Sequence, residues 1–199
     1  MKRIGIFGGS FNPIHLGHTA LAAYICEQGL VDEVWLMVSP QNPLKRDLTL
    51  LDENERLTMA RLAVAPYPML KACDFEFTLP RPSYTYHTLQ ALRAAYPECE
   101  FSLIIGEDNW QCFNRWYRGE DIARETPIIV YPRSSERPAP DGELSIVEVN
   151  CQLSILKNPP LLPYSSTEVR QHIAAGHDAS HMLHPDVAQH IKTHNLYAQ

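Results

Sequence analysis

Residues 4–18, Ile-Gly-Ile-Phe-Gly-Gly-Ser-Phe-Asn-Pro-Ile-His-Leu-Gly-His, narrow the folds open to this chain more than any other stretch. An apolar run, Ile4 to Phe7, stops at two glycines. A short polar turn with a proline follows, and two histidines three residues apart lead into an Ala/Leu-rich segment. The pattern reads as a buried strand, a phosphate-permissive loop and the first turn of a helix. Gly8 and Gly9 lack a Cβ, so the backbone can bend there and a ligand can come close to its N–H groups. Pro13 has the fixed φ of a helix entry, and Asn12 is a candidate cap. His15 and His18, at i and i+3, share one helical face. Free N–H groups and the helix dipole favour an anion at such a helix start. A tight turn and a capping histidine would explain the same residues without a ligand, so the parts singly do not decide. The string is not a P-loop, because no Lys-Ser/Thr ends it, and its glycine spacing differs from the dinucleotide fingerprint.

Taken whole, Gly8-Gly9-Ser10-Phe11-Asn12-Pro13-Ile14-His15-Leu16-Gly17-His18 resembles the His-x-Gly-His signature of the nucleotidylyltransferase superfamily. Its Gly-Gly-Ser/Thr-Phe-Asp/Asn-Pro form is similar to that of the bacterial nicotinate-nucleotide adenylyltransferases. The resemblance implies that Gly8, Gly9, Ser10, Phe11, His15 and His18 bind ATP, that both histidines are catalytic, and that Asn12 meets the acceptor.

Downstream, strands and helices alternate. Residues 15–29 read as a helix closed by Gly29, and Val34 to Val38 as a continuous apolar strand of the kind a doubly covered parallel sheet needs. Asp52 to Glu55 cap a helix that runs to about Ala65. Met69 to Cys73 reads as a strand that Asp74 to Phe77 extends, Tyr86 to Tyr96 as a helix, and Phe101 to Ile105 as a strand. A short or broken helix over Asp108 to Trp116 precedes a strand at Ile128 to Tyr131. Residues 132–145 read as an exposed excursion and Ile146 to Val149 as a last strand, followed by helices at Ser165 to Ala175 and from Pro185 to about Thr193. The expected architecture is α/β: a Rossmann-like, doubly wound parallel sheet of about five to six strands with a small C-terminal helical portion. A chain of 199 residues fits one domain, with a core over about 1–150 and the helical portion over about 160–199. Ligands gather at the carboxyl edge of such sheets, where the motif-bearing loops lie.

Ser165-Ser166-Thr167-Glu168-Val169-Arg170 is a second anchor. Hydroxyls at a helix start can donate to phosphate together with first-turn N–H groups, and a guanidinium can hold phosphate bidentately. A capped surface helix with an incidental arginine would look the same. The string resembles the family's Ser-Ser/Thr-Thr-x-x-Arg motif, which assigns Ser165, Ser166, Thr167 and Arg170 to the ATP phosphates and Arg170 to catalysis. Lys45, a solvated loop lysine by default, becomes by resemblance a catalytic and acceptor-side cation, although Leu44 stands where the family often has Pro-His-Lys. Pro82-Ser83-Tyr84-Thr85 resembles the segment bordering the pyridine nucleotide, which places Tyr84 and Thr85 on the acceptor. Gly106 and Asp108 resemble the family's Gly-x-Asp element on the nucleoside, and Trp116 its stacking partner for the nicotinate ring. Trp110 reads as core or rim.

Composition trims the alternatives. A net charge of −6 argues against wholesale binding of nucleic acid or an anionic membrane, and no apolar run approaches a membrane span. Five scattered cysteines without a Cys-x-x-Cys pair favour reduced thiols, and Met1-Lys2-Arg3 running straight into a strand is no signal peptide, so a cytoplasmic protein is expected. The late histidines (His172, His177, His181, His184, His190, His194) lack a completing ligand set, and no protein metal site is nominated. The resemblance implies ATP and nicotinate mononucleotide as partners, with Mg²⁺ carried by the triphosphate, and leaves a homo-oligomer open. Nicotinamide mononucleotide or another phosphorylated acceptor is the nearest rival, and a non-catalytic nucleotide sensor the remote one.

Overall fold

The computed structural model describes residues 1–40, 50–132, 152–160 and 162–198. Within these, β1 (Lys2–Gly9), β2 (Glu33–Val38), β3 (Leu70–Cys73), β4 (Cys99–Gly106), β5 (Ile128–Tyr131) and β6 (Leu153–Ile155) form one parallel sheet in the order β3-β2-β1-β4-β5-β6. The helices are α1 (Leu16–Glu27), α2 (Glu53–Val64), α3 (Thr85–Ala95), α4 (Glu107–Gln111), α5 (Gly119–Glu125), α6 (Ser166–Ala174) and α7 (Pro185–Thr193). This is the α/β, Rossmann-like arrangement expected.

Side-chain alternation along the strands explains the two layers. Phe7, Leu36, Ile104 and Ile129 face one apolar cluster, closed by Leu21 and Ile25 of α1, Leu57 and Ala60 of α2, and Val187 and Ile191 of α7. Ile6, Met37, Ile105 and Val130 face the other, closed by Leu89 and Leu92 of α3 and Ile122 of α5. Val169 of α6 is buried in the first cluster, so the C-terminal helices pack on the same face as α1. Strand order reverses between β1 and β4. Their carboxyl ends therefore send loops in opposite directions and leave a crevice there.

Several elements differ from expectation. Residues 74–77 do not extend β3; Phe75–Thr78 form a 3-10 turn that carries Glu76 into the interior. Helix α5 follows Arg118, which sits at φ 54, and its seven residues are too short to show a periodicity. The edge strand β6 has only three residues and buries little of them. Helix α1 ends at Glu27, with Gly29 just beyond at φ 69, the left-handed stop its sequence predicts. The strand expected at 146–149 and the excursion after residue 132 lie outside the described residues.

Candidate active site

The site begins where β1 ends. Gly8 and Gly9 are still paired strand residues, opposite Met37 and Val38. They do not bend the chain, contrary to the sequence reading; the turn comes after them, at Phe11 (φ 44) and the cis Asn12–Pro13 bond. A left-handed non-glycine residue costs about 1–3 kcal/mol and persists only when its surroundings hold it. Here the Phe11 ring is buried edge-on against Phe7 (centroids 5.9 Å) and His18 (5.0 Å). This ring is why position 9 is glycine: a Cβ there would stand 2.9 Å from Phe11 Cζ. A Cβ at Gly8 would meet nothing within 4 Å, and Gly8 lines a cavity. One glycine makes room for the Phe11 ring, and the other leaves the cavity wall open.

Helix α1 starts at Leu16 rather than near Pro13, and its N-cap is His15, so Asn12 does not cap it. The His15 backbone N–H donates to His18 Nδ1 (3.1 Å), and the two rings lie 3.6 Å apart, centroid to centroid. Accepting at Nδ1 puts the neutral His18 proton on Nε2, which makes that nitrogen a donor. The two rings meet as a tilted pair at the helix N-terminus, not on one helical face, because His15 is the extended N-cap and only His18 is helical.

Helix α6 supplies the second wall. Ser165 Oγ accepts from the Glu168 N–H (3.2 Å) and Glu168 Oε2 accepts from the Ser165 N–H (2.7 Å), the reciprocal box read from the sequence. Ser166 Oγ donates to Pro13 O (2.8 Å). The Arg170 guanidinium donates to Asn12 O (2.7 Å) and to Thr167 Oγ1 (3.2 Å). The three hydroxyls are therefore not equivalent. Ser166 uses its proton to tie α6 to the first motif, whereas the oxygens of Ser165 and Thr167 accept, and their O–H groups stay available to an anion. The two anchors of the sequence are joined by direct hydrogen bonds, and the N-termini of α1 and α6 open on one cavity of about 470 Å³.

The remaining wall comes from β4 and α3. Gly106 ends β4 and caps α4, and Asp108 lies in the first turn of α4. Tyr84 caps α3 and Thr85 is its first residue. Trp116 packs at a tilt against Phe113 (centroids 5.1 Å), and its buried Nε1 has no hydrogen-bond partner among the described residues. All four of Gly106, Asp108, Thr85 and Trp116 line the cavity, as do Ser10, Phe11, Asn12, His15, His18, Tyr84 and the four α6 candidates. Every described candidate is thus brought together; Lys45 lies outside the described residues. Trp110 packs on Phe113 and is absent from the lining, as expected of a core or rim residue. His184 caps α7 by accepting the Asp186 N–H (3.3 Å), His190 meets Glu55 (2.9 Å), and no cluster among the described residues could hold a metal ion.

Two residues behind the site were not legible in advance. Arg56, only 1% exposed, donates to Ser10 O (2.6 Å), Ser39 O (2.8 Å), Leu51 O (2.9 Å) and Pro40 O (3.4 Å), and so pins the segments that leave β1 and β2. Burial pushes its pKa below the ordinary arginine range. Its place in a run of helix-start charges, Asp52 to Arg56, looks like a solvated helix face. Glu76, 7% exposed, accepts from Thr88 Oγ1 (2.9 Å) beside Ser39 and Ser83 and lines the cavity. Burial, the dominant influence, pushes its carboxyl above the usual range. Only the 3-10 turn, which the sequence pattern hid, makes it internal.

The profile of the cytidylyltransferase-like family matches residues 6–172. A protein of Bacteroides fragilis that carries the name "Probable nicotinate-nucleotide adenylyltransferase" is 47% identical over 189 residues, covering 95% of this chain and 90% of its own. One of Flavobacterium johnsoniae with the same name is 40% identical over 196 residues, 98% of each chain. The nicotinic acid mononucleotide adenylyltransferase of Plasmodium falciparum, solved with NaAD, superimposes with a TM-score of 0.81 at 22% identity, over 99% of this chain and 98% of that one, and shares the fold. The chain belongs to the cytidylyltransferase-like family and, within it, to the nicotinate-nucleotide adenylyltransferases, a group of nucleotidyltransferase enzymes.

Proposed function

We propose that the chain transfers the adenylyl group of ATP to nicotinate mononucleotide, forming deamido-NAD and pyrophosphate in NAD biosynthesis. The observation that carries this reading is the tie from Ser166 and Arg170 of α6 to the Asn12–Pro13 turn that precedes α1, which brings both helix N-termini to one cavity. A triphosphate needs donors on more than one side, and this junction supplies them from two elements. The acceptor phosphate attacks the α-phosphorus in line, and the bond to the pyrophosphate oxygen breaks. The attacking oxygen is already an anion, so the site needs no general base; it needs positioning and donors where charge develops. His18 Nε2 and the α1 N-terminus serve the α-phosphate, and Arg170, Ser165 and Thr167 serve the leaving phosphates. Lys45 is assigned to the acceptor side on its sequence alone.

Trp116 and the Tyr84–Thr85 helix start suit a flat pyridine ring, with Trp116 Nε1 as an unpaired donor nearby. The names of the relatives favour the acid over the amide as acceptor. Mg²⁺ is read, from the resemblance, as carried by the triphosphate and water, where it would neutralise phosphate charge. We read the chain as one catalytic domain whose C-terminal portion completes the site. Four free cysteines among the described residues, and no described helix long and apolar enough to cross a membrane, accord with work in the cytoplasm.

Pyrophosphate release from ATP with a panel of acceptors tests the reading. Release with nicotinate mononucleotide well above that with nicotinamide mononucleotide, phosphopantetheine or no acceptor is expected. Release only with a different acceptor, or none at all, would overturn it.

A further inference from the structure

We propose that Tyr197, at the far end of the chain, is a positioning residue for the active site: its hydroxyl orients Asn12 so that the amide N–H groups face the cavity. The inference rests on the adenylyl-transfer reading, because it supposes an anion on that side of Asn12. The Tyr197 hydroxyl donates to Asn12 Oδ1 at 2.7 Å, across 185 residues of sequence. Asn12 is 3% exposed and lines the cavity, and its backbone oxygen is held independently by Arg170 at 2.7 Å. The residue is thereby clamped twice, main chain by α6 and side chain by the C-terminal turn.

A carboxamide has one accepting and one donating end. Occupying Oδ1 from the protein side commits Nδ2 to the other. A donor there attracts a phosphate or carboxylate, whereas a flipped amide would turn lone pairs toward the same anion and repel it. A phenol can also accept, so its own orientation matters. Asn12 Oδ1 can only accept, so the phenol hydrogen lies on this bond and the phenol lone pairs face elsewhere. Burial pushes the phenol pKa up, so it stays a donor at any working pH. Tyr197 also sits at φ 62, a left-handed position that costs energy for a residue with a Cβ, while its ring packs on the main core cluster. A terminal turn that served only to cover the core would not need the hydroxyl.

Tyr197→Phe removes that one oxygen and keeps the ring. The variant should lose about 5- to 10-fold in kcat/KM for nicotinate mononucleotide, the range of one hydrogen bond, with the KM for ATP changed less than about twofold and a melting temperature lower by only about 2–6 °C, so the protein stays folded under assay conditions. In an Asn12→Ala background the same change should have no further effect on kcat/KM. Where turnover of that background is too slow, the Kd for nicotinate mononucleotide by calorimetry gives the same comparison. Wild-type-like kcat/KM in Tyr197→Phe, or an equal fractional loss in both backgrounds, would overturn the inference. The wild-type protein is run in parallel: transfer by it separates failure of this inference from failure of the functional reading.

Discussion

Replacing each glycine of the Gly8-Gly9 pair by alanine should have opposite consequences, although the two are neighbours in one strand. At Gly9 the new methyl would lie 2.9, 3.1 and 3.2 Å from three atoms of the Phe11 ring. That ring cannot retreat, because it is buried between Phe7 and His18 on a left-handed backbone. Overpacking of this kind costs about 1–3 kcal/mol, and the reduced freedom of the unfolded chain returns about 0.4–1 kcal/mol. A net loss of about 0.5–2 kcal/mol remains, a melting temperature lower by roughly 2–6 °C for a chain of this size. At Gly8 the methyl meets nothing within 4 Å and the backbone is not left-handed, so only the gain remains, about 0.4–1 kcal/mol. The same methyl projects into ligand space, so the KM for ATP should rise several-fold in Gly8→Ala. Urea unfolding and initial-rate kinetics on both variants check this. Equal destabilisation of the two, or an unchanged KM for ATP in a stabilised Gly8→Ala, would refute the division of roles.

Arg56→Met should destabilise by about 2–4 kcal/mol: the loop carbonyls of Ser10, Ser39 and Leu51 lose their donor, and relief from burying a charge offsets only part of that. Thermal unfolding should drop by roughly 5–15 °C, and activity measured well below the new midpoint should also fall because both loops border the cavity. Glu76 carries a pH signature. Its folded pKa is raised, so its contribution is fully present below the unfolded value near ~4.3 and is lost as pH rises through the folded value. Glu76→Gln cannot ionise, so its stability relative to wild type should increase as pH rises from about 4.3. A flat difference between the two melting curves across that window would show that Glu76 is not shifted.

The alternation of Ile6 and Phe7, or of Leu36 and Met37, between two apolar layers was legible because doubly covered parallel strands must be continuous and apolar. The anchors at 8–18 and 165–170 were legible because helix-start chemistry is local: a cap, a carboxylate three residues on, a glycine where something must come close. What escaped depends on distant partners. Arg56 is defined by the carbonyls of Ser10, Ser39, Pro40 and Leu51, Glu76 by a turn that rotates it inward, and Tyr197 by an asparagine near the other terminus. The bend was misplaced for a related reason. A left-handed phenylalanine is improbable by itself and becomes tolerable only when Gly9, Phe7 and His18 surround it. Likewise β6 and α5 are too short for a period to emerge; β6 exists because β5 pairs with it, and α5 because Ile122 and Ala123 pack into the core cluster that Leu89 and Leu92 close.

The central claim is that the α1 N-terminus and its histidines stabilise charge during adenylyl transfer, and His18→Ala tests it most directly. The ring touches Phe7 and Phe11 and accepts the His15 N–H, so its removal should cost about 1–2 kcal/mol of stability. Loss of a donor to the developing charge should lower kcat for deamido-NAD formation by about 10²- to 10³-fold. The account therefore predicts a largely folded protein with a collapsed kcat when turnover and melting temperature are measured on the same preparation. A kcat that falls no further than the folded fraction, or that survives the substitution, would contradict it.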